Sequence, residues 1–163
     1  PPLHEAEDNR QIWRGLADRT FDAIGSDHSS NLRWQKEKGD IWSTMPGFPT
    51  IGASLALLVS EGVNKGRLNW EQLARVTAEN TARIFGLYPR KGTLAPGADA
   101  DIVIVDPNRE WELSAENLKS ASDYSIYAGK VTRGKAVKTF VRGKLVAEDG
   151  RVVGQAPHGV YVA

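Results

Sequence analysis

Apolar residues along this chain follow helical spacing in its first half and strand-like alternation in its last third. Between Glu5 and Ala17, Ile12, Trp13, Leu16 and Ala17 fall on one face, and Asp8 or Asn9 sits near the start. Asp18-Arg19-Thr20 closes that helix and leads into Phe21–Ile24, which reads as a short buried strand. Ile51 to Val63 predicts a second helix that buries Leu55, Leu58 and Val59 and ends at Gly62 and Gly66. A third opens at Asn69-Trp70-Glu71-Gln72, with Asn69 as N-cap and Gln72 three residues on, an imperfect capping box. It continues through Leu73, Val76 and Thr77.

The pattern changes at Lys91-Gly92-Thr93-Leu94-Ala95-Pro96-Gly97. After it, Ala100–Val105 reads as a strand, Asp106-Pro107-Asn108 as a turn and Glu110–Leu113 as a short strand. Ala136–Arg142 and Lys144–Ala147 alternate around Gly143, as a hairpin does, and Gly150 marks another turn before Arg151-Val152-Val153. Two stretches resist a periodic reading. Asn31 to Met45 carries Trp34, Trp42 and alternating charges; it reads equally as a pocket wall or as a loop folded on its own tryptophans. Pro46-Gly47-Phe48-Pro49 is a rigid turn.

Composition narrows the classes. With 163 residues, 40% hydrophobic and 25% charged, the chain suits a soluble globular protein of one domain or pieces of two. A net charge of +1 points to neither nucleic acid nor a membrane as partner. The absence of cysteine removes disulfides and thiolate metal sites, which fits a cytoplasmic protein. No apolar run approaches the roughly 20 residues of a membrane helix.

The chemistry concentrates at Gly25-Ser26-Asp27-His28, directly after the expected strand. Barrels and open α/β sheets carry their reactive groups at the C-terminal ends of strands. A carboxylate there can ligate a divalent metal, accept a proton from water, or do both; Asp27 can equally cap a helix or shape a turn. Gly92, Gly97 and Asp101 do not have the spacing of a phosphate-binding loop, and a strand rather than a helix follows them. His4 reads as a structural histidine, and His158, in a Gly/Pro-flanked tail, as a surface one.

Taken in order, Pro1-Pro2-Leu3, Gly25-Ser26-Asp27-His28, Asn80-Thr81-Ala82-Arg83-Ile84-Phe85-Gly86-Leu87 and Lys91-Gly92-Thr93-Leu94-Ala95-Pro96-Gly97-Ala98-Asp99-Ala100-Asp101-Ile102-Val103 resemble the C-terminal part of the cyclic amidohydrolases. That group comprises hydantoinases (dihydropyrimidinases), allantoinases and dihydroorotases. The resemblance runs from Pro1 to about Tyr161. It implies an α/β chain in two parts. Residues 1–90 would form the last strand or strands and helices of a (β/α)8 TIM barrel, and residues 91–163 the C-terminal part of a flanking β-sandwich. It also implies a short helix beginning between Thr77 and Thr81, with Ile84 and Phe85 packed inward; Asn80 is then expected as its N-cap. The chain would start just after the seventh barrel strand, as a segment of a longer enzyme whose N-terminal part completes its core.

The resemblance implies a mechanism as well. Two divalent metal ions, expected to be Zn2+ and bridged by a carboxylated lysine outside this chain, would activate water against a cyclic amide or ureide. Asp27 would be metal ligand and proton carrier, His28 would orient Asp27 or its loop, and the backbone at Pro46 and Gly47 would contact the substrate ring. The chain has three histidines and no His-x-His pair, so the remaining ligands are expected from outside it. Gly47 replaces a usual Asn, Thr50-Ile51-Gly52 lacks a usual acidic residue, and His4 replaces a usual Arg. Ser29-Ser30 and the tail from Ala156 lean toward hydantoinases and allantoinases rather than dihydroorotases. A homo-oligomer is expected. A non-catalytic scaffold, a dihydroorotase-type enzyme and a hydrolase of acyclic amides stay open.

Overall fold

The computed structural model describes residues 4–155 and 157–162. Its first half is helical. Helix α1 spans Ala6–Asp18 and ends at Arg19, whose φ of 74° turns the chain into the left-handed region. Leu16 of α1 packs with Leu68 and Val76, and Trp13, Ala17 and Ile24 close around them. Ile12, expected on the same face, is 44% exposed instead.

The segment from Ile51 to Val63 is one helical run, as its periodicity predicts, but wound in two ways. Helix α3 covers Ile51–Leu57, and a π-helical stretch covers Leu58–Val63. The buried face is also different: Ala53, Ala56 and Val59 are buried, while Leu55 and Leu58 are only half-buried. The cause is the β-rich tail lying against the small residues. Ala53 and Ala56 form a core with Leu113 and Leu118, and Trp111 and Tyr127 pack beside it. A Cβ at Gly134 would sit 2.3 Å from Val59 Cγ1, so only glycine lets the sheet come this close. Gly62 does not end the helix. It lies buried inside the π-helical stretch, where a Cβ would meet the Trp13 ring at 2.9 Å. Gly66, at φ 67°, sits in the turn that follows.

Asn69 begins helix α4, Trp70–Ala74, with a complete capping box. Its Oδ1 accepts from Gln72 N–H at 2.8 Å, and Gln72 Oε1 accepts from Asn69 N–H at 2.7 Å. Gln72 Nε2 and Arg75 Nη2 then donate to the carbonyls of Ala17 and Leu16, satisfying the end of α1. A π-helical turn, Arg75–Glu79, continues into α5, Asn80–Ile84. Asn80 is therefore inside a helix, not at its N-cap. Its side chain donates to Asp22 O at 2.8 Å and holds the segment that follows α1. Ile84 and Phe85, expected inward, are 61% and 73% exposed, because no described element covers that side of α5.

The tail is a four-stranded antiparallel sheet in sequence order: β1 Ile102–Glu112, β2 Val131–Val141, β3 Lys144–Glu148 and β4 Arg151–Val152. The hairpin at Gly143 and the turn at Gly150 stand where the alternation puts them. The expected turn at Asp106-Pro107-Asn108 is a bulge within one strand. The Asp106 carboxylate accepts the N–H groups of Asn108 and Arg109, so the extra residues are satisfied without breaking β1.

The Lys91-to-Val103 motif fastens this sheet to the helices. Lys91 bridges the carboxylates of Asp99 (2.9 Å) and Asp101. Asp101 also accepts Arg142 N–H at 2.9 Å, and Gly143 N–H reaches Ala100 O at 2.9 Å. Hydrogen bonds from Lys91 hold the Asp99 carboxyl below its ordinary value. Burial works against ionisation of Asp101, but Lys91 and the Arg142 N–H outweigh it and lower its pKa too. The same two bonds, to Asp101 and then Asp99, raise Lys91. Gly92, at φ 82°, passes so close to α5 that a Cβ would lie 2.7 Å from Ala82 Cβ.

Candidate active site

Phe21–Ile24, expected as a buried strand, is not paired into a sheet. A strand needs a neighbouring strand to take its backbone groups, and here the partners are helical ones: Phe21 N–H donates to Gly15 O at 2.9 Å, Ile24 N–H to Val76 O at 3.1 Å, and Asp22 O accepts from Asn80 Nδ2. Phe21 is 44% exposed. The extended backbone still delivers Gly25–His28 to one side of the helices, where it meets the turn at Pro46–Thr50.

That meeting is closely tied. His28 and Phe48 form a parallel bridge, and Ser29 N–H donates to Phe48 O at 2.9 Å. Thr50 Oγ1 donates to Ser26 O at 2.9 Å. His28 Nδ1 accepts the N–H groups of Thr50 (3.0 Å) and Ile51 (3.2 Å) at the start of α3. With Nδ1 accepting, the ring proton belongs on Nε2, which lies 2.8 Å from Ser30 Oγ. These bonds tie His28 to Ser30 and to the start of α3; none of its described bonds goes to Asp27.

Asp27 itself has φ 44°, in the left-handed region that a non-glycine residue enters at a cost. Its side chain is exposed, and no described hydrogen bond or ion pair engages the carboxylate. Both oxygens are therefore open to a ligand. Among the described residues, no group of three or more His, Cys, Asp or Glu side chains forms a metal cluster. A trough of about 800 Å³ lies beside this segment, lined by Ile24, Ser26, Ile51, Leu55, Leu58 and Val103 among others, with Asp101 at one side and no histidine.

Gly47 has φ 85°, and a Cβ there would lie 2.5 Å from Ser29 Cβ. Asn31 Nδ2 donates to Pro46 O at 2.7 Å and to Ser29 Oγ at 2.9 Å, drawing the same two stretches together. The loop between them is not folded on its tryptophans, since Trp34 is 57% and Trp42 94% exposed. Sequence reasoning passed over what does hold it. Lys36, in the short helix α2 (Arg33–Lys36), donates to Met45 O (2.5 Å) and Gly47 O (2.9 Å). The Asp40 carboxylate accepts Trp42 and Ser43 N–H, and hydrogen bonds from Ser43 and Trp42 lower its pKa. A charged residue two or three positions before a small polar one marked the Asp40 turn; nothing in the spacing marked Lys36.

Away from this region, His158 is half-buried, with Nε2 2.8 Å from Val141 O, so it fastens the tail to the sheet. His4 is exposed and 3.8 Å from the Asp8 carboxylate. Ala156, first residue of the tail motif, lies outside the described residues.

Residues 5–146 match the model of the amidohydrolase family. This chain belongs to the amidohydrolase family. Within it, the chain is 39% identical to an L-hydantoinase of Paenarthrobacter aurescens across 99% of its own length and 36% of that protein's. Among solved structures, D-hydantoinase from Bacillus sp. AR9 superposes with a TM-score of 0.93 at 39% identity, covering 99% of this chain and 36% of that one. The dihydropyrimidinase from Brevibacillus agri gives 0.89 at 35% identity over 94% of this chain. This amidohydrolase chain therefore spans about a third of the length of the relatives it matches. Its fold is α/β, the closing part of a TIM barrel followed by strands of a small β-sandwich.

Proposed function

We propose that this chain is the C-terminal segment of a metal-dependent hydrolase of cyclic amide C–N bonds, hydantoinase-like or allantoinase-like, and that Asp27 is its proton carrier and one metal ligand. The single observation that supports Asp27 is its strained backbone carrying a carboxylate that no described residue engages. Strain of this kind persists where the surrounding structure imposes it, and it clusters at functional sites. A free carboxylate is a hard oxygen donor that suits divalent cations. This chain supplies one such donor; the other ligands, a carboxylated lysine among them, belong in this reading to the N-terminal part of the enzyme.

When bound, the metal pair, which we take to be Zn2+, polarises the amide carbonyl and acidifies water. Asp27 accepts the proton of the attacking water as its oxygen bonds to the carbonyl carbon. As the C–N bond breaks, Asp27 delivers that proton to the leaving ring nitrogen. The Pro46–Gly47 turn, bridged to His28 through Phe48, forms the wall against which the ring lies. The division at residues 90 and 91 into barrel and sandwich parts, a homo-oligomeric state and a cytoplasmic location belong to the same reading. No described helix is long and apolar enough to cross a membrane.

Exposed apolar side chains support the segment reading. Ile51, Leu94, Val103 and Ile104 are 45–77% exposed around or near the trough, a face suited to the remainder of the enzyme. The test is a hydrolysis screen of hydantoin, dihydrouracil, allantoin and dihydroorotate by the longer enzyme, with metal analysis. Turnover of none of these, with no bound metal, identifies a scaffold and overturns the proposal.

A further inference from the structure

The turn beside the Asp27 loop is bound from outside by one ammonium and one side-chain amide. We propose that Lys36 is a positioning residue, whose ammonium holds the Met45–Gly47 turn in register with Asp27 and so sets where a substrate ring can lie. This rests on the function proposed above.

The geometry is specific. Lys36 Nζ donates to Met45 O at 2.5 Å and to Gly47 O at 2.9 Å and stands 5.1 Å from the centre of the Phe48 ring. Pro46 O, between those two carbonyls, is taken by Asn31. The three consecutive carbonyls of the turn are thus bound to side chains of the 31–36 stretch. No described group accepts the Gly47 N–H. The anchor is itself held: Arg33 N–H donates to Asp123 Oδ1 at 2.8 Å, and Met45 N–H to Gln35 O at 3.1 Å. Glycine at position 47 makes the tether matter. At φ 85° it has no side chain to restrain it, so releasing its carbonyl frees the peptide beside His28 and Asp27. Because the turn touches substrate before and during reaction alike, loosening it should weaken binding more than it slows chemistry.

The experiment compares Lys36→Met, Lys36→Gln and Lys36→Arg in the longer, metal-loaded enzyme, by steady-state kinetics on the best substrate of the screen, thermal unfolding and amide exchange. The Met and Gln variants are expected to raise KM about tenfold with kcat within threefold, unchanged metal content and a Tm within a few degrees. The Arg variant, which keeps two or more donors, should recover most of the affinity, and exchange of the Ser29 N–H, bonded to Phe48 O, should quicken in Met and Gln alone. An unchanged KM overturns the proposal. So does a loss of Tm and metal in step with activity in both neutral variants, which makes Lys36 a structural residue. If the wild type turns over no cyclic amide, the functional reading fails by itself; exchange of the Ser29 N–H bonded to Phe48 O then decides the tether, and unchanged exchange overturns it.

Discussion

Two residues at the site have left-handed backbones, one at a cost to its side chain and one because it has none. Asp27 sits at φ 44° with nothing described bonded to its carboxylate. Replacing it with glycine removes the left-handed penalty and loses no described hydrogen bond or ion pair of the side chain. Unfolding of metal-free Asp27→Gly in urea should therefore show a stability equal to the parent's or higher by up to about 1 kcal/mol. A loss beyond that size means the carboxylate is serving the fold. Gly47 has the opposite problem, because any Cβ meets Ser29. Gly47→Ala should cost about 1–3 kcal/mol, the range for overpacking. Ser29→Gly in the same chain should return a large part of it, read as a coupling in a double-mutant cycle. Asp27 could be singled out in the sequence because a carboxylate and an imidazole after an apolar run form a recognisable pattern; its role at a metal stays a proposal. The Gly47–Ser29 contact was not legible, since no spacing rule reports that residues 18 apart in sequence meet Cβ to Cβ. It explains why glycine stands where the resemblance suggests asparagine.

Elements were legible where their own periodicity governs them and misread where a neighbour does. The Gly143 hairpin, the Asn69 capping box and the span 51–63 follow from local chemistry, and each formed. The inward face of that helical run does not follow, because hydrophobicity favours Leu55 and Leu58. Of the expected face only Val59 is buried; the sheet takes Ala53 and Ala56 in place of the two leucines, since small residues let β2 approach. Lys91 with Asp99 and Asp101 is the device that docks the Gly143 turn, and it has a pH signature. The two carboxyls are lowered below their ordinary 3.8, so their contribution is complete above that value and lost as pH falls through the folded pKa values. Lys91 is raised above 10.5, so its contribution is complete below that value and lost as pH climbs through the folded pKa. Thermal unfolding across a pH series should show a plateau that falls at both ends. Lys91→Met should lower the plateau and flatten both shoulders; an unchanged pH profile in that variant contradicts the clamp.

For the whole molecule, the limit on reading was physical rather than a matter of pattern. Phe21–Ile24 has the composition of a barrel strand, and Ile84 and Phe85 that of buried residues, yet no described strand pairs with the first, and Phe21, Ile84 and Phe85 stay exposed. Their exposure is what a chain spanning about a third of its relatives' length would show if its partners in the core lie in the other two thirds. The central claim joins the scales: a free carboxylate on a strained backbone works with metals held largely by residues outside this chain. The most direct test is turnover and metal content of the longer enzyme beside its Asp27→Ala variant, on the substrate of highest activity. The account predicts bound divalent metal and turnover in the wild type, and a loss of kcat/KM beyond a thousandfold in the variant with folding intact. An Asp27→Ala enzyme that keeps its activity within tenfold would contradict it.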